Sequence, residues 1–153
     1  MKLVIGSDHN GVDLKKEIIR FLGNRNIEVF DVSEHSSAID DYPLYAFKVG
    51  EMVASKEYDL GILLCGTGIG MSIAANKVKG IRCAHVTNTG EAILSREHNN
   101  ANIIALSSNL KINDILKIID LFINTKCKNE ERHIRRNNEI AAYENGESKW
   151  LKI

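Results

Sequence analysis

Short apolar runs alternate with longer amphipathic segments along almost the whole chain, and this alternation limits the possible fold more than any single residue does. Runs at 2–6, 27–32, 59–65, 82–86 and 102–106 have the length and aliphatic content of strands. Helical spacing fills the intervals. Leu14, Ile18, Phe21 and Leu22 recur on one face within 11–24, and Tyr45, Val49, Met52 and Val53 do so after Pro43. Ile112, Ile115, Leu116, Ile119, Phe122 and Ile123 follow the helical period through 112–123, and shorter helices are expected at 68–77 and 88–97. Pro43, the single proline, suits a first helical turn that Asp41 is placed to cap. Strands joined by helices lie parallel, so the expected fold is α/β: three layers around a parallel sheet of about five strands.

With 153 residues, 44% of them hydrophobic, the chain has enough material for one core, and a single domain over 1–153 is expected. Its 20 basic and 20 acidic residues cancel, leaving no global field to attract nucleic acid or an anionic membrane. No apolar run approaches the ~20 residues of a membrane span. Met1-Lys2 leads directly into a strand without the layout of a signal peptide, which points to a cytoplasmic protein. Cys65, Cys83 and Cys127 are odd in number and far apart, so reduced thiols are expected rather than a disulfide framework or a metal site. Beyond Cys127 the chain turns strongly polar through 128–138, as a helix with little to bury would.

In parallel sheets, ligands bind beyond the carboxyl ends of the strands, where the winding reverses. That rule groups Ser7-Asp8-His9-Asn10, the run from Cys65 to Gly70 and the pair His98-Asn99, all of which are expected to face one rim. The glycine run follows a buried strand and opens a helix. It lacks the lysine of a P-loop, since Met71-Ser72 follows Gly70, and it reads GxGxG on the third strand rather than GxGxxG on the first. A cysteine phosphatase would place arginine where Met71 stands. What remains is a thiol beside a nest of backbone N–H groups at a helix start, an arrangement that favours negative charge and would let Cys65 act as a base. The bland reading makes Cys65 a small buried hydrophobe beside a tight turn.

Other candidates also carry bland readings. Asp8 can cap the helix that begins near Gly11, and His9 and the pair His98-Asn99 gain interest only from position. His35 and His85 read as structural, Cys83 as core, and Cys127 as a surface or half-buried thiol. Arg132 and Arg136, spaced i,i+4, would project from one helix face as a fork for phosphate. In isolation, a solvated face pairing with Glu130 and Glu131 describes that run better.

Taken in order, Gly-Ser-Asp-His-Asn-Gly at 6–11, Asp-Tyr-Pro at 41–43, Cys-Gly-Thr-Gly-Ile-Gly-Met-Ser-Ile-Ala-Ala-Asn-Lys at 65–77, Gly-Ile-Arg-Cys-Ala at 80–84, Ser-Arg-Glu-His-Asn-Asn-Ala-Asn at 95–102 and Arg-His-x-x-Arg at 132–136 resemble the ribose-5-phosphate isomerase B family. The resemblance runs from about Lys2 to Ala142. It implies a Rossmann-like fold with a C-terminal helical extension and an aldose-ketose isomerase acting on a phosphorylated pentose without metal or organic cofactor. It also implies a homodimer, or a dimer of dimers, with active sites shared between subunits.

Carried over by motif, Cys65 is the base that moves a proton between C1 and C2 through a cis-enediolate, and Thr67 assists proton movement between the substrate oxygens. The amides of Gly66, Thr67, Gly68, Ile69 and Gly70 form the anion hole. His98 opens the furanose ring, Asp8 and Asn99 hold sugar hydroxyls, and Tyr42 lines the pocket. His9, Arg132 and Arg136 bind the phosphate. One branch of the family uses a glutamate as base where Met71 stands here, so Cys65 places the chain in the thiol branch. Related galactose-6-phosphate isomerases divide their catalytic residues between two different chains, whereas this chain carries Cys65, His98, Arg132 and Arg136 together. The segment 128–153 is expected to pack on the partner, although 143–153, with Trp150, matches no family motif. The rival readings are an isomerase of allose or galactose 6-phosphate and a non-catalytic sugar-phosphate-binding regulator.

Overall fold

The computed structural model describes residues 1–35 and 39–147; the end of the proposed extension, 148–153 with Trp150, lies outside the described residues. In chain order the elements are β1 (Lys2–Ser7), a 3₁₀ turn (His9–Gly11), α1 (Val12–Gly23), β2 (Glu28–Asp31), α2 (Tyr42–Ala54), β3 (Leu60–Cys65) and α3 (Ile69–Ala75). There follow β4 (Cys83–His85), α4 (Thr89–Glu97), β5 (Ile103–Ser107), α5 (Ile112–Asn124) and α6 (Glu131–Glu144). The predicted strands and helices are present in the predicted order, with ends moved by a few residues.

All strand pairs are parallel, in the order β2-β1-β3-β5-β4. The winding therefore reverses between β1 and β3, and their carboxyl ends, Ser7 and Cys65, flank the crevice in which such sheets bind ligands. Alternation sorts each strand between two cores. Leu3, Ile5, Ile62, Leu64 and Leu106 pack against Ile18 and Leu22 of α1, Ala92 of α4 and Ile115, Ile119 and Phe122 of α5. Val4, Leu63, Cys65, Cys83 and Ala105 point the other way, onto Ala46, Val49 and Val53 of α2 and Met71, Ala74 and Ala75 of α3. These are the three layers expected from the sequence. β3 is buried at every position because it lies mid-sheet with helices on both faces.

Asp41 occupies the N-cap position of α2, but its side chain makes no capping hydrogen bond, and Pro43 fills the first turn as expected. The burial of Cys83 matches its reading as core, and the exposure of Cys127 its reading as a surface thiol.

Among the described residues, the most enclosed charged group is a lysine. Lys15 of α1 is 2% exposed and lies 3.0 Å from Asp31, donating at 2.7 Å to both the carbonyl and the hydroxyl of Ser33. The Ser33 hydroxyl accepts the Ser7 N–H at 2.8 Å, so this ammonium ties together the carboxyl ends of β1 and β2. Lys15→Ala strands a carboxylate that is largely shielded from water, and it is expected to cost about 3 kcal/mol. Urea unfolding of the variant, read as a lowered midpoint at unchanged slope, checks this.

Candidate active site

A first cluster gathers at the carboxyl rim of the sheet. Asp8 follows β1 directly; its N–H reaches the Leu64 carbonyl at 3.2 Å, and its carboxylate accepts the Asn10 N–H at 2.9 Å, capping the 3₁₀ turn. Asp8 thus caps this turn and not the helix α1 itself, whose N-cap is Gly11 without a side-chain bond, and the turn places that carboxyl beside β3. His9, in the same turn, is exposed. At the end of β3, Cys65 is 6% exposed, and its Sγ accepts the Gly68 N–H at 3.1 Å. Only a residue at ease with positive φ turns that N–H back toward the thiol, and Gly68 sits at φ +80°.

Neighbours hold the rest of the loop. The Gly66 carbonyl accepts from the Ser107 hydroxyl at 2.7 Å and from the Asn109 side chain at 2.9 Å, while the Thr67 hydroxyl accepts the Ile69 N–H at 3.3 Å. Tyr42, at the start of α2, lies so close to Gly70 that a Cβ there would fall 2.6 Å from the ring. His85, which ends β4, brings its Nε2 to 2.9 Å from the Thr67 carbonyl. Its reading as a structural residue remote from the site is thus corrected. The strand-end rule that groups Asp8 with Cys65 also covers the end of β4, so the signal for His85 is present in the sequence.

The second cluster is built on the turn after α4. Arg96 donates to the carbonyls of Ala101 and Thr125 and lies over the Phe122 ring, and Arg82 donates to the carbonyls of Asn99 at 2.8 Å and Asn100 at 3.2 Å. Asn100 takes φ +45° between them. These bonds fix the backbone of the turn and present His98 and Asn99. The His98 ring stacks on His133 of α6, with centroids 4.0 Å apart and planes 6° apart, and Asn137 donates to the His98 carbonyl at 3.0 Å. Arg136 lines a groove of about 1240 Å³ with Asn99. Arg132 pairs with Glu130 at 3.0 Å, which is the ion pair of the solvated-face reading.

The expectation that all of these groups face one rim is overturned. In a parallel sheet a crossover helix leaves the carboxyl end of one strand and must return to the amino end of the next. α4 therefore carries His98 and Asn99 away from Cys65. Asn102 confirms their position, bonding the backbone of Arg82 and Gly80 just ahead of β4. Cys65 is in register with Ser107 at the far end of β5, four residues beyond Ile103, which separates the clusters by at least roughly 13 Å of strand. One chain thus holds Asp8, His9, Tyr42, Cys65, Thr67 and the glycine loop at one rim, and His98, Asn99, Arg132 and Arg136 at the other. Arg82, Arg96 and His133 fall within the motifs that carry the resemblance, but their positioning work, like that of Asn137, depends on contacts between distant segments and shows only in the fold.

His133 is the buried residue of α6. Burial, then the neighbouring His98 ring and the Arg132 charge, hold its imidazole below its ordinary value; Arg136 adds to this and Glu130 opposes it. The docked helix therefore excludes a proton that the undocked chain takes up near pH 6.5. Stability from this contact is present above that pH and is lost as pH falls. Amide exchange across 131–144, corrected for intrinsic rates, should accelerate between pH 7.5 and 5.5, and His133→Phe should remove the dependence.

Among the described residues, no three His, Cys, Asp or Glu side chains cluster as a metal would require, and no helix is long and apolar enough to cross a membrane. The family model described as Ribose/Galactose Isomerase matches residues 3–140. The solved ribose-5-phosphate isomerase B of Clostridium thermocellum superposes with a TM-score of 0.91 at 46% identity, covering 97% of this chain and 100% of that one. The Mycoplasma genitalium ribose-5-phosphate isomerase B, solved with bound ribulose 5-phosphate, superposes with a TM-score of 0.89 at 41% identity, covering 94% and 96%. The Escherichia coli ribose-5-phosphate isomerase B is 42% identical over 144 residues, which is 94% of this chain and 96% of that protein.

Proposed function

The chain belongs to the ribose/galactose isomerase family, and from that premise we propose that it interconverts D-ribose 5-phosphate and D-ribulose 5-phosphate, a step of the pentose phosphate pathway. The observation that carries this reading is a thiol at the sheet's switch point that accepts a backbone N–H of a glycine loop at 3.1 Å. Such a donor aims the thiol at the crevice, and the neighbouring loop amides can stabilise the anion that a base there creates.

His98 takes the proton of the anomeric hydroxyl and delivers one to the ring oxygen, giving the open aldose. The Cys65 thiolate then removes the C2 proton; the electron pair forms the C1–C2 double bond and charge builds on O1. Of the loop amides, those of Gly66, Thr67 and Gly70 are assigned to that oxyanion, while the Gly68 N–H stays on Cys65 and the Ile69 N–H on the Thr67 hydroxyl, which relays a proton between O2 and O1. Cys65 returns its proton to C1. Asp8 and Asn99 hold hydroxyls, Tyr42 closes the wall over Gly70, and His9, Arg132 and Arg136 take the phosphate.

These roles lie on opposite rims of one chain, so the working site pairs the carboxyl rim of one copy with the amino rim of another, in a homodimer or a dimer of dimers. Ile69 and Ile73 beside the glycine loop, 52% and 58% exposed, and Ile140 and Tyr143 beside Arg136, 46% and 69% exposed, supply apolar surface for that contact. The three unpaired thiols fit a reducing, cytoplasmic setting.

The family model covers pentose and hexose phosphate isomerases alike. The presence of Cys65, His98, Arg132 and Arg136 in one chain favours the pentose enzyme, which needs no second kind of subunit. Ribose 5-phosphate incubated with the protein in D₂O should yield ribulose 5-phosphate partly deuterated at C1. Tight binding of the sugar phosphate without turnover would instead identify a regulator. A higher kcat/KM on allose or galactose 6-phosphate would move the assignment to the six-carbon substrate.

A further inference from the structure

We propose that His85 is a positioning residue for Cys65, acting through the single peptide that joins Thr67 to Gly68. The proposal rests on the reading of Cys65 as the base. A carbonyl has no proton to give, so the 2.9 Å contact between His85 Nε2 and the Thr67 oxygen requires that Nε2 carry hydrogen and donate. The same peptide presents its other end, the Gly68 N–H, to Cys65 Sγ at 3.1 Å. A trans peptide is planar, with C=O and N–H pointing in opposite directions, so fixing the oxygen fixes the aim of the N–H. Donation to the oxygen also polarises the amide and strengthens its N–H as a donor, as in any chain of hydrogen bonds.

The surroundings favour this relay over a chance contact. His85 rides on β4, in register with Ala105 of β5, so its ring is carried by the sheet and not by the loop it contacts. A Cβ on Gly68 would fall 2.9 Å from the His85 Cδ2 and 2.9 Å from the Leu106 carbonyl carbon. Glycine therefore permits both the positive φ and the close approach of the ring. Beyond His85 the chain is pinned by Glu91, whose carboxylate accepts the Thr87 N–H at 2.7 Å and the Thr87 hydroxyl at 3.0 Å.

The test compares His85→Leu, which keeps an apolar body but no donor, with His85→Gln, whose side-chain N–H has a similar reach. With ribose 5-phosphate, kcat of His85→Leu should fall about tenfold with KM within about twofold, and His85→Gln should restore most of the loss. In the same samples the iodoacetamide alkylation rate of Cys65, taken relative to that of exposed Cys127, should fall in His85→Leu and recover in His85→Gln. Wild-type kcat and an unchanged alkylation ratio in His85→Leu would overturn the proposal. So would equal losses in both variants, since packing and not donation would then be at work. Cys65→Ala, assayed alongside, separates the two levels: if it turns over normally the base assignment fails, and the alkylation ratio still decides whether His85 acts on the thiol.

Discussion

Replacing Cys65 with alanine is expected to lower kcat for ribose 5-phosphate by about a thousandfold while leaving KM nearly unchanged. On the proposed mechanism the thiol acts in the chemical step, and the groups assigned to hydroxyls and phosphate stay in place. Met71, the position that the family resemblance matches to the glutamate base of its other branch, is fully buried against the sheet and has no basic group. Cys65→Ser should be nearly as poor, since a hydroxyl keeps the size of the thiol but is far less acidic. The truncation removes one small buried atom, for which a stability loss of about 1 kcal/mol is expected. Steady-state kinetics together with a thermal melt then separate lost chemistry from lost fold. A variant that keeps more than about a tenth of wild-type kcat would remove Cys65 from the role of base. Arg136→Ala should show the opposite pattern, raising KM with a smaller effect on kcat.

Mixing two dead variants should restore activity. If each working site takes Cys65 from one copy and His98 from another, Cys65→Ala and His98→Asn are each inactive as homodimers. Refolded together at equal amounts, half of the dimers are hybrids, and each hybrid has one site with both wild-type residues and one with neither. Specific activity should therefore return to about a quarter of wild type. Two variants from the same rim, Cys65→Ala with Thr67→Val, should not complement. Recovery by the same-rim pair, or none by the cross-rim pair, would show that the sheet does not divide the site between copies.

The fold was legible because its determinants are local. Strand runs, helical periods and the burial of β3 on both faces follow from residue order alone, and so does the crevice between β1 and β3. The grouping at the carboxyl rim is legible for the same reason, since Asp8, Cys65 and the glycine turn each follow a strand directly. Grouping His98 with Cys65 treats a turn preceding a strand like one that follows it, although a parallel crossover sends the two to opposite rims. His85 ends a strand, which is its signal in the sequence, but its partner, Thr67, is 18 residues away and only the fold pairs them. The arginine clamps on the 98–101 turn were out of reach for a further reason. Arg82 and Arg96 find their partners only when the chain brings the carbonyls of Asn99, Asn100 and Ala101 within their grasp.

The separation of the two clusters by the height of the sheet has a bearing on inheritance. If working sites are shared between copies as proposed, every copy encodes both halves of the site while each site draws only one half from each copy. After a gene duplication, a chain that loses its cysteine rim stays useful beside a sister that keeps it, provided that the sister draws on the rim it retains. Each chain is then free to discard the complementary half, and what began as a self-sufficient homodimer becomes an obligate pair without passing through an inactive ancestor. The same height of sheet lets mutations that reshape the phosphate end accumulate without disturbing the proton-transfer end.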